Sequence, residues 1–205
     1  EGELWIDESL IQFESNIVHW HHQEKNLELQ GSPLLFSDEL RIQAQGTIIA
    51  KDVPFKKDEV SNWQEVFAQG PLTITFKDTE GSKHYLETDG YLEIFPKEGT
   101  LFIQSKTLPV NYIHPKGSAQ ANKATITYKN IQNPFEIETL ALNGNVEIRY
   151  MNEKGNSIQQ FVKADTMVAS LKTHVVDLFC SNKQMVSVSD FSKGIEIKGS
   201  HIQGK

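Results

Sequence analysis

Hydrophobic and polar residues alternate along most of this chain, and one alternating string occurs twice. Val66, Ala68, Gly70, Leu72, Ile74 and Phe76 hold every second position; Leu140, Leu142, Gly144, Val146, Ile148 and Tyr150 repeat them 74 residues later. Each string runs into a glycine turn, at Gly81 and at Gly155. Beyond the turn the offset becomes 76, and Tyr85-Leu86-Glu87-Thr88-Asp89 corresponds to Phe161-Val162-Lys163-Ala164-Asp165. A hairpin tip two residues longer in the second copy produces that change. A period of two means a strand with one buried face. A recurring string of strands predicts a stack of similar β-hairpins.

Further period-two strings run over Leu27–Leu29, Leu40–Ala50, Tyr85–Phe95, Leu101–Ile103, Ala124–Tyr128, Phe135–Tyr150, Ile158–Val168, Val175–Cys180, Met185–Val188 and Ile195–Ile202. Between them lie turn formers such as Gly31-Ser32-Pro33, Pro96-Lys97-Glu98-Gly99 and Ser192-Lys193-Gly194. Shorter echoes, Ala124–Tyr128 with Ala164–Val168 among them, give a unit of about 35–40 residues. The expected fold is therefore all-β: two facing antiparallel sheets built from repeated hairpins in one domain spanning 1–205, with internal repeats at about 64–107 and 138–181. The pattern allows at most one short helix, over Asp58 to Trp63, with Asp58 as N-cap. Leu108 to Gln120, which holds Pro109, Pro115 and Gly117, reads as an irregular surface loop.

Composition narrows the function classes. The formal charge is −7 and no basic run exceeds two residues, which argues against nucleic acid as a partner. No apolar stretch reaches the roughly 18–20 residues of a membrane span. The chain opens on Glu1-Gly2-Glu3 with no leader, so any leader or anchor is expected to have been removed or to lie outside it. Cys180 sits in an alternating run and reads as a small core residue. No nucleophile elbow or phosphate loop occurs, so no catalytic residue is assigned. His19 and His21 point the same way on a strand and, with Glu24, suggest a jelly-roll metal site. Its second half is missing, because Gln120 stands where a ligand is needed, and a solvated polar strand is the default. Asp89 and Asp165 share one repeat position; a turn-closing or edge-facing carboxylate is the simpler reading than a ligand.

The string Leu140-x-Leu142-x-Gly144-Asn145-Val146-x-Ile148 precedes a polar hairpin, Val162-Lys163-Ala164-Asp165 and a further strand. This order resembles the OstA-like repeats of the lipopolysaccharide-transport family, well over Ala121 to Lys205 and more weakly over Leu27 to Ile103. The resemblance implies a twisted β-jelly roll open along one edge, with acyl chains between the sheets and sugars and phosphates outside. It implies a periplasmic carrier, not an enzyme, with no cofactor. Its partners would be lipopolysaccharide or a similar acylated glycolipid, other OstA-like components of the transport bridge, and further copies of itself end to end. The implied groove interior is Leu72, Ile74, Phe76, Leu86, Leu142, Val146, Ile148, Tyr150, Val162, Val168 and Leu178. Ile195 and Ile197 would form a partner-binding terminal strand. Lys123, Lys129, Arg149, Lys163 and Lys172 are available for lipid phosphates. Alternation alone does not separate such a groove from a dry core; a scaffold domain binding partners by strand addition is the alternative.

Overall fold

An antiparallel hairpin with one apolar face needs an opposing sheet to cover it. This chain supplies one by sending successive hairpins to two walls in turn. The computed structural model describes residues 2–6, 9–37, 40–53, 64–77, 81–130, 133–152, 157–170, 172–181 and 185–204. The first wall begins with β1 (Gly2–Ile6) and β2 (Ser9–Glu14), the second with β3 (Ile17–His21) and β4 (Asn26–Gln30). The first continues with β5 (Leu34–Phe36) and β6 (Leu40–Ala44), the second with β7 (Thr47–Lys51) and β8 (Glu65–Gln69). Next come β9 (Leu72–Lys77) and β10 (Lys83–Thr88) in the first wall, then β11 (Tyr91–Phe95) and β12 (Thr100–Gln104) in the second. β13 (Val110–His114) and β14 (Gly117–Ala121) return to the first wall, and β15 (Lys123–Asn130) lies in the second. β16 (Asn133–Met151) and β17 (Ile158–Ser170) are long enough to run through both. β18 (Val175–Phe179) and β21 (His201–Gly204) complete the second wall, β19 (Val186–Asp190) and β20 (Ile195–Gly199) the first. Every pairing is antiparallel, and pairs such as β6–β9, β10–β13 and β17–β19 join the hairpins into continuous walls.

The result is a nearly all-β, open antiparallel architecture, as the alternation requires. One turn of 3₁₀ helix, Pro96–Glu98, is the only helix among the described residues. The helix expected over 58–63 lies outside them. The loop expected over Leu108 to Gln120 is instead the hairpin β13–β14, with Val110 opposite Ala121 and His114 opposite Gly117. Pro115 and Gly117 mark its tip, and the small or polar residues Ser118, Ala119 and Gln120 hide its second strand from a hydrophobicity reading.

Among the described residues the crossings between the walls fall on one margin, which forms a closed seam. Successive crossings are hydrogen-bonded to one another. Gln45 N–H donates to the Pro71 carbonyl (2.9 Å), Gly70 N–H to Gly90 (3.0 Å), Ser105 N–H to Asn122 (2.9 Å), Asn122 N–H to Gly144 (2.8 Å) and Cys180 N–H to Ser200 (3.0 Å). Gly31, Gly70, Ser105, Gly144 and Cys180 cross in the same direction at intervals of 35 to 39 residues, so the expected unit is one hairpin on each wall. Glycine is required where neighbouring crossings touch. A Cβ on Gly90 would stand 1.9 Å from the Gln104 carbonyl oxygen, and Gly70 combines φ +105° with a Cβ position 2.9 Å from Gly46 N.

Asp89 and Asp165 both clamp this seam. Asp89 accepts from the backbone N–H groups of Lys106, Thr107 and Leu108 and from the Thr107 hydroxyl. Asp165 accepts from Ser181 N–H at 2.7 Å and its hydroxyl at 2.8 Å. The shared position is a turn-closing one. The Thr107 hydroxyl and then the Leu108 N–H hold Asp89 well below the usual carboxylate range; the Ser181 N–H and hydroxyl lower Asp165.

The pairings extend the internal repeat past the sequence signal. Tyr85 faces Ile113 as Phe161 faces Ser189, an offset of 76 on both strands. Val110 faces Ala121 as Val186 faces Gly199, an offset of 76 and then 78. Copy one therefore runs from β8 into β15, and copy two from β16 to β21.

Candidate functional site

The site implied by the sequence is the space between the walls. Strand register sorts the inward side chains of the first wall into three rows parallel to the seam. Nearest the seam are Ala44, Leu72, Thr88, Val110, Ala121, Val146, Ala164 and Val186, all buried. The middle row holds Ile42, Ile74, Leu86, Tyr112, Ala119, Ile148, Val162, Val188 and Ile197. The outer row, at the margin opposite the seam, reads Leu40, Phe76, His84, His114, Gly117, Tyr150, Gln160, Asp190 and Ile195, and none of these is fully buried.

The second wall repeats the gradient. Its seam row, from Leu29 and Ile48 through Ala68, Leu92, Ile103, Ala124, Leu142 and Met167 to Leu178, is buried. Its outer row is buried at Leu27, Ala50 and Val66, reached by solvent at Ile94, Leu101, Ile126 and Leu140, and buried again at Ala169. The interior is thus packed along the seam and at the N-terminal end. From β9 onward it opens into a mouth along the opposite margin.

Eight of the expected groove residues, Leu72, Ile74, Leu86, Leu142, Val146, Ile148, Val162 and Leu178, lie in these rows within one continuous buried cluster. Phe76 sits at the mouth, partly exposed and packed against that cluster. Tyr150 shares the inward face but is 49% exposed at the margin, so it belongs to the lip and not to the interior. Val168 is a correction. It is 39% exposed on the outer face, between buried Met167 and Ala169. β17 leaves the first wall at Asp165–Thr166, and its inward residues shift from Val162 and Ala164 to Met167 and Ala169. Strict alternation carried across that crossing selects the wrong face.

The cations named from the sequence do not line the mouth. Arg149 and Lys163 lie on the outer face, 3.0 Å and 3.6 Å from Glu147. Lys123 is exposed beside the seam, and Lys172 is in the β17–β18 turn. The side chain of Lys129 lies outside the described ones. His19 and His21 point away from the interior on β3, with His21 Nε2 3.5 Å from Glu28. Among the described residues no three potential metal ligands come together. Cys180 is partly buried against the core.

Sequence reasoning missed a polar cluster on the outer row of copy one. The His84 ring stacks between Phe76 (4.6 Å) and His114 (4.5 Å), and His84 Nδ1 lies 2.7 Å from the Tyr112 hydroxyl. His84 and His114 are 30 residues apart and meet only because β10 pairs with β13. At the adjacent hairpin tips Lys77 lies directly opposite Lys83, and Lys116 N–H donates to His114 Nδ1.

With this geometry in place, the comparisons with known proteins add little. No protein-family model matches the chain, and no curated protein sequence does. Among solved structures it is similar to the crystal structure of LptH, the LptA homologous periplasmic component of the conserved lipopolysaccharide transport device from Pseudomonas aeruginosa, with 9% identity and a TM-score of 0.45, over 89% of this chain and 95% of that one. A likeness at that level carries no functional argument. No helix among the described residues is long and apolar enough to cross a membrane.

Proposed function

We propose that the protein is a periplasmic carrier module for an acylated glycolipid of the lipopolysaccharide type, and not an enzyme. The observation that carries this reading is the one-sided opening: an apolar interior closed along the seam and open to solvent along the opposite margin. Acyl chains lie in the mouth against Phe76 of the first wall and Ile94, Leu101 and Leu140 of the second, with the buried rows as its floor. The sugar and phosphate head stays outside. Burying about half of an acyl chain's roughly 300–400 Å² at about 25 cal/mol per Å² contributes roughly 4 kcal/mol. Several chains together hold a lipid, and each can be released in turn.

Photo-crosslinking in cells tests this. A photoreactive residue at Phe76 or Leu101 is expected to capture lipid, while the same group at outward Val168 is not. Equal capture from both faces would sink the reading.

Neighbouring modules of like architecture add to the terminal strands. β20 pairs with β19 on one side only among the described residues, and Ile195 and Ile197 are 48% and 50% exposed on it. Such an edge is a template for strand addition. Deleting 194–205 is expected to abolish association with partners or copies in light scattering; unchanged association would remove these residues from the interface.

A further inference from the structure

From the lip of copy two we infer that the mouth carries a sugar-binding site, in which Tyr150 is the platform for a pyranose ring and Gln160, Asp190 and Lys193 hold its hydroxyls. The inference rests on the carrier reading, and it names the part of the cargo that this stretch of the margin holds. Strand register brings the groups together. Tyr150 on β16 lies opposite Gln160 on β17, and Gln160 lies opposite Asp190 on β19. All three are on the outer row, at the edge of the apolar interior. The Gln160 amide donates to Asp190 Oδ2 at 3.1 Å, and Lys193 Nζ lies 3.7 Å from the same oxygen. Amide, carboxylate and ammonium therefore stand side by side, next to an aromatic ring.

That ring is open where its counterpart is covered. Phe76 holds the same position in copy one, between Leu40 and His84, and the His84 ring stacks on it at 4.6 Å. In copy two the neighbour on one side is Gly117, which has no side chain. On the other side is Gln160, whose amide is turned to Asp190. Tyr150 is left 49% exposed, and its hydroxyl makes no hydrogen bond among the described residues. Asp190 is fixed by its own turn, because Oδ1 accepts from Ser192 N–H (3.0 Å), the Ser192 hydroxyl (2.5 Å) and Lys193 N–H (3.2 Å). The Ser192 hydroxyl, with Gln160 and the turn amides, holds the carboxyl below its usual range and so ionised. Oδ2 keeps room for a second donor, and Gln160 keeps its carbonyl oxygen and one N–H. A sugar hydroxyl both donates and accepts, and the C–H face of a pyranose is apolar enough to lie on an aromatic ring. A carboxylate at the centre repels an anion, so the site takes the sugar of the head group and not a phosphate. A lipid with its tails in the mouth presents that sugar at this height.

The test compares three probes by isothermal titration on the full chain: dodecyl maltoside and tetraethylene glycol monododecyl ether (both below micelle formation) and maltose. The two amphiphiles share a tail and differ in the head. The maltoside is expected to bind about fivefold tighter than the ether, and maltose at least about tenfold more weakly than the maltoside. Tyr150→Ala should bring the ratio of the two amphiphiles to under about twofold, since any lost tail contact weakens both alike. Gln160→Ala, which leaves the ring in place, should lower the ratio by about twofold. A ratio unchanged in both variants overturns the assignment to these residues. Equal affinity of the two amphiphiles for the unaltered protein overturns the sugar site and leaves the carrier reading intact. Maltose binding as tightly as dodecyl maltoside overturns the head-group assignment. Failure of both amphiphiles to bind overturns the carrier reading and this site with it.

Discussion

Copy one and copy two share a register but not a surface. Tyr85–Ile113 and Phe161–Ser189 are the same pair in the same place, and Leu86 and Val162 are buried alike. Along the margin the copies part: His84 and His114 in one, Gln160 and Asp190 in the other. The buried rows are fixed by the need to cover apolar area, so duplication keeps them. The margin is free of that need, and there the copies differ. The seam diverges in a third way. Copy one crosses at Asp89-Gly90, with inward residues Thr88 and Leu92; copy two crosses at Asp165-Thr166, with Ala164 and Met167, one residue shorter.

That difference gives the largest expected effect. Gly90→Ala forces a Cβ against the Gln104 backbone and should cost about 3 kcal/mol in denaturant unfolding. Thr166→Ala, at the matching crossing, should change stability by less than about 1 kcal/mol. Comparable losses at the two sites would mean that the crossings are not built differently.

Core truncation should come next and be nearly symmetric. Leu92→Ala and Met167→Ala remove side chains from the same buried row, and each should lose about 2–3 kcal/mol. Leu101→Ala, at the solvent-reached margin, should lose under about 1.5 kcal/mol. A loss at Leu101 equal to that at Leu92 would mean the mouth is as tightly packed as the seam.

The smallest effect separates the two seam carboxylates. Asp89 has four donors and Asp165 two, so Asp89→Asn should destabilise more than Asp165→Asn at neutral pH. Both carboxyls are shifted below the roughly 3.9 of an unfolded aspartate. Their contribution is therefore complete above about pH 5 and is lost as pH falls through the folded-state value. The gap between wild type and Asp89→Asn should close in acid, persisting to lower pH than that for Asp165→Asn. A gap independent of pH would remove the ionised carboxylate from the explanation.

The alternation made the walls legible, because Leu142, Val146 and Ile148 sit on a strand whose buried face is chosen by period alone. It also made the seam aspartates legible, because the repeat places both just where a crossing needs closing. It misplaced Val168, since a crossing resets the phase and nothing local in Ala164-Asp165-Thr166-Met167 announces it. The β13–β14 hairpin was hidden by its prolines and small residues. The rim cluster was invisible because His84 and His114 become neighbours through a pairing 30 residues long. Aligning the copies by their polar positions, and not only their apolar ones, would have exposed it.

Every described connection between the two walls runs along the seam, and no described segment bridges the opposite side. The molecule is consequently a slotted rail rather than a tunnel. On the carrier reading, a passenger with a bulky exterior enters the slot sideways, from β9 onward, without ever being threaded.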